Sequence, residues 1–190
     1  MRPGQAGQAV GETHAATFAA MRGLVNAVRL RLSRAMSKSM KRVRQALAEA
    51  GIETEILELG TARTAREAAD GVGCHVDQIA KSIIFAGVES GEALLFLTAG
   101  GNRVDDARAS AVAGEPLAKA DAALIRAQTG FAIGGVAPVG HLNPIRAWID
   151  PRLLAFDRIW AAAGTPHHVF GLDPRDLPRI SSAQPADFVQ

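Results

Sequence analysis

The chain has 190 residues, which is long enough for one domain with a substantial core and short for two. Its composition, 48% hydrophobic and 21% charged, excludes disorder as the default state, and the apolar runs are far shorter than the roughly 20 residues of a membrane-spanning helix. Nine of the 21 Lys and Arg residues, but only one of the 19 acidic residues, lie in residues 1–44. The net charge of +2 therefore does not indicate a nucleic-acid-binding patch on the fold. The single cysteine, Cys74, excludes an intramolecular disulfide and a metal cage of paired thiolates, and it fits a reducing cytoplasm.

Residues 1–36 are predicted to form a basic extension that is flexible or helical. The first dozen residues lack periodicity, whereas apolar residues in 18–32 recur at spacings of three and four with arginines between them. This spacing predicts a basic amphipathic helix, which could bind RNA phosphates or a membrane surface, act as a leader, or simply precede the fold. We place the domain itself at residues 37–190.

Beyond residue 37, helices and strands are predicted in an irregular order. The predicted elements are a helix at 41–50, a strand at 53–59, a helix at 64–69, strands at 83–88 and 93–98, helices at 105–112 and 121–128, strands at 131–133, 147–149 and 168–170, and a helix that begins at 173–174. Thr64 and Glu67 form a T-x-x-E capping box, and the tetrapeptide Glu-Ser-Gly-Glu at 89–92 is typical of a hairpin turn. This order predicts a single α+β domain around a mixed, partly closed, barrel-like sheet surrounded by helices.

The segment TGFAIGGVAPVGH at 129–141 is the most informative part of the sequence. A predicted strand runs into Gly134 and Gly135, which allow a positive φ and a close approach of the backbone to a ligand, and Gly140 allows a second turn after Pro138. Such a loop can present amide N–H groups to a carbonyl or a developing oxyanion, where one donor contributes roughly 2.7–4 kcal/mol. The alternative is a tight loop that only joins two strands.

This glycine loop, with the pattern Gly-Gly-Val-x-Pro-x-Gly at 134–140, resembles the corresponding loop of the YbaK/ProX-type aminoacyl-tRNA deacylases. Three further blocks resemble the same family in the same order: QIAKSIIF at 78–85, GNRVD at 101–105 and WAAAGTP at 160–166. The family includes the editing domain inserted in bacterial prolyl-tRNA synthetases. The resemblance covers residues 37–190 and implies a YbaK-like fold, deacylation of mischarged aminoacyl-tRNA, and no cofactor.

Lys81 lies just before the first predicted hairpin strand and matches the family's active-site lysine. The resemblance implies that it engages a phosphate or the 3′-terminal adenosine of the tRNA, and an ammonium is a compact charge suited to a phosphate. The alternative for a lysine at a strand end is to reach out to solvent. The resemblance also implies hydrolysis without a protein nucleophile: the protein holds the aminoacyl ester while water, assisted by the terminal ribose hydroxyl, attacks the carbonyl.

The other predicted catalytic groups are Gly134, Gly135 and His141, with His141 orienting the ester or the water. A histidine packed on the rim of the sheet is the alternative for His141. The predicted substrate-binding residues are Ser82, Asn102, Arg103, Asp105, Val136, Pro138 and Gly140. Structural roles are the alternative for three of these, because Asn102 can be a turn residue, Asp105 a helix cap, and Arg103 an ion-pair partner.

Two groups that often carry chemistry are predicted to be structural here. Cys74 has no histidine partner in the sequence pattern. His167 and His168 are predicted to lie on alternate faces of one edge strand, with no acidic residues at ligand spacing, so we expect no metal site.

Two positions depart from the family pattern: Ser82 stands where some members have asparagine, and Ala137 where many have serine. These changes leave the amino acid open, because a small pocket separates neighbouring side chains by only about 1–3 kcal/mol per methylene. We predict a cytoplasmic trans-editing hydrolase that removes a small wrong amino acid, foremost from tRNA-Pro. Its partners would be the 3′ acceptor end of aminoacyl-tRNA and, as a second candidate, an aminoacyl-tRNA synthetase. The alternatives are a deacylase of Ser- or Thr-tRNA of another isoacceptor, and a non-catalytic binding module for charged tRNA or a synthetase.

Overall fold

The computed structural model describes residues 36–60 and 62–190. The helices are α1 Lys38–Glu49, α2 Ala65–Val72, α3 Asp106–Ala113, α4 Ala122–Thr129 and α5 Asp176–Ser181. The strands are β1 Ile56–Glu58, β2 Ile79–Gly87, β3 Ala93–Ala99, β4 Leu117–Lys119, β5 Arg146–Ile149, β6 Ile159–Ala162, β7 His168–Leu172 and β8 Gln184–Pro185. Short 3₁₀ helices cover Val76–Gln78 and Pro151–Ala155.

The eight strands belong to one mixed sheet. Along the sheet they follow the order β1-β7-β6-β2-β3-β5-β8, and β4 pairs with β2 beside this path. β2 and β3 form the predicted antiparallel hairpin, whereas β2 pairs with β6, and β3 with β5, in parallel. The predicted fold class, a single α+β domain built on a mixed sheet, is confirmed.

β3 is central because both of its faces are covered. All seven of its residues are buried. Alternate side chains face opposite sides of the sheet, so Leu95 and Leu97 pack in the larger core cluster while Leu94 and Phe96 pack in the smaller one. The larger cluster also contains Val136 of the glycine loop. The loop that was predicted to bind substrate is therefore anchored in the main core.

β2 begins at Ile79, four residues before the predicted strand at 83–88, so the prediction that Lys81 precedes the strand is wrong. Ile79 and Ala80 pair with β6, which lies about 80 residues further along the chain. Local periodicity cannot reveal a partner at that separation. Lys81 is the third residue of β2.

The predicted strand at 131–133 is also wrong. Phe131 is fully buried in the larger core cluster, and the chain then turns, with the Gly135 N–H donating to the Ala132 carbonyl at 3.0 Å. The strand at 168–170 exists, but it is not an edge strand, because β7 pairs with both β1 and β6. β4 and β6 were missed because strands of three and four residues carry too little alternation to be recognised.

Two helices begin at residues other than those predicted. α1 begins at Lys38 because the Ser37 hydroxyl accepts the N–H of Met40 at 3.2 Å. α5 begins at Asp176, after a turn in which the Asp173 carbonyl accepts the Asp176 N–H at 3.0 Å.

The predicted N-terminal extension, 1–36, lies outside the described residues except for Met36. Within 36–60 and 62–190, none of the helices has the length and apolar character needed to cross a bilayer.

Candidate active site

One edge of β2 is open over part of its length. Its other edge pairs with β3 from Ala80 to Ala86. On the open edge, 79–80 pair with β6 and 85–87 pair with β4, so 81–84 have no strand partner there among the described residues. Because the peptide groups of a strand bond alternately to its two sides, part of the main-chain N–H and C=O groups of 81–84 faces this gap.

A cavity of about 350 Å³ lies along the open edge of β2. Five consecutive residues of β2, 79–83, border it, so residues from both faces of the strand contribute. The other walls are the start of α2, the glycine loop, and six residues between 161 and 169 around the β6–β7 connection. The volume falls within the range of small-molecule sites, roughly 300–1,000 Å³.

Four of the predicted site residues line this cavity: Lys81, Ser82, Gly134 and Val136. Gly134 has a φ of 82°, a conformation that favours glycine, and it places Ile133 and Val136 at the cavity wall. The main-chain N–H groups of Gly134 and Val136 have no hydrogen-bond partner in the part of the chain that the structure describes. An amide N–H without a protein partner in the wall of a cavity is a candidate donor to a ligand.

Gly135 lies between these two residues but does not line the cavity. Its N–H already donates to the Ala132 carbonyl, so this amide is engaged. A Cβ at Gly135 would lie 2.6 Å from Thr165 Cα, which means that only glycine lets the loop pack against the β6–β7 connection. Gly135 thus shapes the wall, and its neighbours Gly134 and Val136 are candidate amide donors for a substrate.

Arg42 of α1 holds both ends of the glycine loop. Its Nη2 donates to the Gly130 carbonyl at 2.8 Å and its Nε to the Gly140 carbonyl at 3.2 Å. The guanidinium also lies 5.0 Å from the centre of the Phe131 ring. Gly140 contacts the backbone of Arg42 rather than the cavity. Gly140, predicted to bind substrate, therefore supports the loop and does not line the cavity.

His141 lies behind the loop and is not among the residues that line the cavity. Its Nε2 is 2.7 Å from the Ala137 carbonyl, which can only accept, so this nitrogen carries the proton. Burial lowers the pKa of His141, the bond to Ala137 raises it, and the nearby Arg42 lowers it. Pro138 is likewise buried and away from the cavity. These contacts favour a packed, structural His141, which is close to the alternative that the sequence left open, a histidine packed on the rim of the sheet.

The ammonium of Lys81 donates to the main-chain carbonyl of Asn102 at 2.5 Å. Burial lowers the pKa of Lys81, and Arg103 lowers it further, while the carboxylates of Asp150 and Asp77 raise it. The side chain is half-buried. Lys81 is thus a held cation at the open edge of β2 and not a lysine extended into solvent.

Asp150 fixes the turn that holds Lys81. This carboxylate is only 2% exposed, and its Oδ2 accepts the Asn102 side-chain N–H at 2.8 Å and the Ala99 N–H at 3.1 Å. Asp77 binds the same turn through the Gly101 N–H at 3.0 Å. The predicted site residue Asn102 therefore acts on Lys81 through its carbonyl and on Asp150 through its amide.

The two remaining predicted residues make contacts away from the cavity. The Asp105 carboxylate accepts the N–H groups of Ala107 and Arg108 and caps α3, which is the alternative role that the sequence allowed. Arg103 is exposed, and its carbonyl accepts the Gln190 N–H at 3.0 Å.

His168 and Thr165 bring polar atoms to the cavity that were not predicted as site residues. The Thr165 hydroxyl lies 2.6 Å from Nδ1 of His168. Nε2 of His168 and the Ser82 hydroxyl are buried and have no hydrogen-bond partner within the described residues. Burial lowers the pKa of His168, the Glu58 carboxylate raises it, and His167 lowers it.

Comparison with known proteins places this site in a family. The family described as "Aminoacyl-tRNA editing domain" matches residues 60–180. A solved structure described as "a putative trans-editing enzyme for prolyl tRNA synthetase" is 44% identical, with a TM-score of 0.76 over 82% of this chain and 99% of that one. The chain belongs to the aminoacyl-tRNA editing domain family.

Two other relatives resemble this editing domain over most of their length. The crystal structure of hypothetical protein APE2540 is 25% identical, with a TM-score of 0.71 over 78% of this chain and 99% of that one. The uncharacterized protein YwhH of Bacillus subtilis (strain 168) is 28% identical over 144 residues, which are 75% of this chain and 91% of that protein. The family resemblance read from the four sequence blocks is confirmed.

The cavity of this editing domain is lined by cationic and neutral polar groups. Its lining carries the cations Lys81 and Arg63 and includes no Asp, Glu or Cys among the described residues. Ser82 and His168 do not bond each other, so they do not form an activated hydroxyl pair. Cys74 lies outside the lining, and burial raises the pKa of its thiol, which keeps it protonated.

Sequence reasoning missed four residues of the editing domain that shape the site: Arg42, Asp150, Thr165 and His168. Thr165 lies in the block at 160–166, so a signal for it was present but was not used. Arg42 and Asp150 carried no signal, because each acts through a partner that is distant in the sequence. His168 was predicted to be structural, although its partner Thr165 lies only three residues away.

Proposed function

We propose that this editing domain is a trans-acting hydrolase that deacylates tRNA charged with a small wrong amino acid, foremost tRNA-Pro. The observation that carries the proposal is the cavity at the open edge of β2, which is lined by Lys81 and by Gly134 and Val136, whose main-chain N–H groups have no partner within the described residues. Its positive lining fits a phosphate-bearing ligand, and its volume fits an aminoacyl ester. The 44% identical relative described as acting for prolyl tRNA synthetase supports tRNA-Pro as the first tRNA to test.

The proposed reaction needs donors for a developing negative charge. Water attacks the ester carbonyl carbon, the bond from that carbon to the ribose oxygen breaks, and the proton lost by water ends on the ribose oxygen. The N–H groups of Gly134 and Val136 would donate to the carbonyl oxygen as it becomes an oxyanion, each contributing roughly 2.7–4 kcal/mol. The ammonium of Lys81 would bind a phosphate of the acceptor end and so orient the ester.

A deacylation panel tests this proposal. The protein is mixed with tRNA-Pro charged with Ala, Cys, Ser, Thr or 2-aminobutyrate, and ester loss is followed with time. We expect hydrolysis of at least one of these esters, and a fall of 10-fold or more in kcat/KM for Lys81→Ala, about 1.4 kcal/mol or more of transition-state stabilisation. Lys119→Ala is the matched control, because Lys119 is exposed on β4 and does not line the cavity.

Two outcomes would overturn the proposal. Equal rates of ester hydrolysis for the unchanged protein and for Lys81→Ala would show that Lys81 does not contribute to the reaction. Tight binding of charged tRNA without hydrolysis of any ester would instead show a binding module. The rates of ester loss are also measured for the same amino acids on their own cognate tRNAs. Comparison with the rates on tRNA-Pro decides whether tRNA-Pro is preferred.

A further inference from the structure

The charged side chains that line the cavity all carry the same sign within the described residues. Lys81 on β2 and Arg63 just before α2 are cations, and neither an aspartate nor a glutamate belongs to the lining. The remaining titratable residue of the lining is His168, and burial lowers the pKa of its ring, so the imidazole is neutral near pH 7. A positive charge without a compensating carboxylate therefore faces the ligand.

The guanidinium of Arg63 makes no ion pair or hydrogen bond with the described residues. By contrast, Arg146 and Arg152 each pair with a carboxylate. The acid nearest to Arg63 along the chain is Glu67, whose Oε2 accepts the main-chain N–H groups of Arg63 and Thr64 at the start of α2. Glu67 does not line the cavity, so its carboxylate serves the helix cap and not the ligand.

The carboxylates that act on Lys81 also lie outside the lining. Burial and Arg103 lower the pKa of Lys81, while Asp150 and Asp77 raise it. Asp150 is almost fully buried and bonds the turn that holds Lys81, and the Asp77 carboxylate accepts the Gly101 N–H of the same turn at 3.0 Å. Neither carboxylate lines the cavity, so neither is placed to accept a hydrogen bond from a cationic group of the ligand.

An aminoacyl ester would bring a third cation into this cavity. The carbon beside its carbonyl carries an amino group, and the ordinary pKa of an α-amino group is about 7.7–8.0, so the group is mostly charged at pH 6.5. Like charges repel more strongly in a partly desolvated site than in bulk water. The acceptors that the lining offers to an ammonium are neutral carbonyl and hydroxyl oxygens, which do not compensate a full charge.

We propose that this editing domain binds the acyl group with an uncharged substituent on its α-carbon, and that it hydrolyses 2-hydroxyacyl esters of tRNA more efficiently than the corresponding aminoacyl esters. A hydroxyl in place of the ammonium keeps the size of the group and removes its charge. The reaction is unchanged: water attacks the ester carbonyl carbon, the bond to the ribose oxygen breaks, and this oxygen takes the proton that water loses. The products are a 2-hydroxy acid and free tRNA.

This inference rests on the proposed function and is tested with esters that differ only at the α-substituent. The fastest ester of the deacylation panel is compared at pH 6.5 with its 2-hydroxyacyl counterpart on the same tRNA; for alanine this is the lactyl ester. Each kcat/KM is divided by the rate constant of spontaneous hydrolysis in the same buffer, because an ammonium activates the ester carbonyl by itself. We expect the normalised value to be at least 3-fold higher for the hydroxyacyl ester.

The two possible failures are distinguishable. An equal or lower normalised value for the hydroxyacyl ester would show that the site accepts the ammonium, which overturns this inference and leaves the proposed function standing. No hydrolysis of any aminoacyl ester overturns the proposed function itself.

Variants of Arg63 test whether the discrimination comes from the charge of the cavity. Arg63→Gln removes one cation, so the hydroxyacyl-to-aminoacyl ratio of kcat/KM should fall at least 2-fold, whereas Arg63→Lys keeps the charge and should keep the ratio. Arg66→Gln is the matched control, because Arg66 is exposed on α2 and does not line the cavity. A weaker affinity for tRNA affects both esters alike and cancels in the ratio. The same ratio in Arg63→Gln as in Arg66→Gln would contradict the proposal.

Discussion

At the residue scale, the pKa of the Lys81 ammonium is subject to opposing influences. Burial and Arg103 disfavour its charge, while the carboxylates of Asp150 and Asp77 favour it. The Asn102 carbonyl fixes its position at 2.5 Å, and Asn102 is itself held by Asp150. The charge and the position of Lys81 therefore both depend on one buried carboxylate that is distant in the sequence.

Asp150→Asn should move the pH dependence of hydrolysis. Removing the carboxylate charge removes the largest influence that raises the pKa of Lys81, so this pKa falls and the cation is lost at a lower pH. We expect the alkaline limb of the kcat/KM profile to shift to lower pH, and the free energy of unfolding to fall by about 1–3 kcal/mol because buried hydrogen bonds are weakened. Asp187→Asn, at an exposed carboxylate paired with Arg108, is the control. A folded Asp150→Asn protein with an unshifted alkaline limb would contradict this link.

At the element scale, the glycine loop is a wall of the cavity that α1 holds in place. Arg42 reaches the carbonyls at both ends of the loop, and its guanidinium stacks on Phe131 between them. Inside the loop, Gly135 allows contact with Thr165 of the β6–β7 connection. The unpaired amides of the wall are thus positioned by α1, which does not line the cavity, and by the β6–β7 connection, which does.

Arg42→Ala should loosen this wall. Loss of two hydrogen bonds and of the ring contact is expected to lower the free energy of unfolding by about 1–3 kcal/mol, and kcat/KM should fall with it because the amide donors lose their position. Arg42→Lys should not restore either property, since a single ammonium cannot bond both carbonyls in the same fork geometry. Arg44→Ala, at an exposed arginine of the same helix, should change the unfolding free energy by no more than about 0.5 kcal/mol. Equal effects of Arg42→Ala and Arg44→Ala, in chemical denaturation and in hydrolysis, would refute the role of Arg42.

At the scale of the whole molecule, the features that the sequence predicted correctly are those that depend on residues close together in the chain. The capping box at Thr64, the helix cap at Asp105 and the β2–β3 hairpin each depend on residues a few positions apart, and all three are present. The open edge of β2 could not be predicted, because it exists only where β6 and β4 meet β2 from distant parts of the chain. For the same reason the sequence located Lys81 and the glycine loop but not Asp150, which joins Lys81 to the core.

The stability of the whole domain should fall in mild acid. Burial lowers the pKa of His141 and His168 below the ordinary value of 6.5, so the unfolded chain binds protons at a pH where the folded chain does not. This stabilisation is fully present above about pH 6.5 and is lost as the pH falls through the folded pKa values. We expect the denaturant midpoint to fall between pH 7.5 and 5.5, and to fall less in His141→Gln, whose amide can still donate to Ala137. The same fall in His141→Gln as in the unchanged protein would show that His141 does not contribute.

The composition of the cavity wall also has a consequence for the nascent chain. β2 is synthesised early, but the wall that completes the cavity lies at 161–169, and the Arg42–Gly140 bond closes a loop of 98 residues. Contacts at such separations form late, because the chain between them must first be ordered. A ribosome-bound fragment that ends before β6 would contain β2 with Lys81 but would lack the cavity wall at 161–169. The cavity therefore forms only when nearly the whole domain has emerged and folded, so an unfinished chain lacks the candidate site.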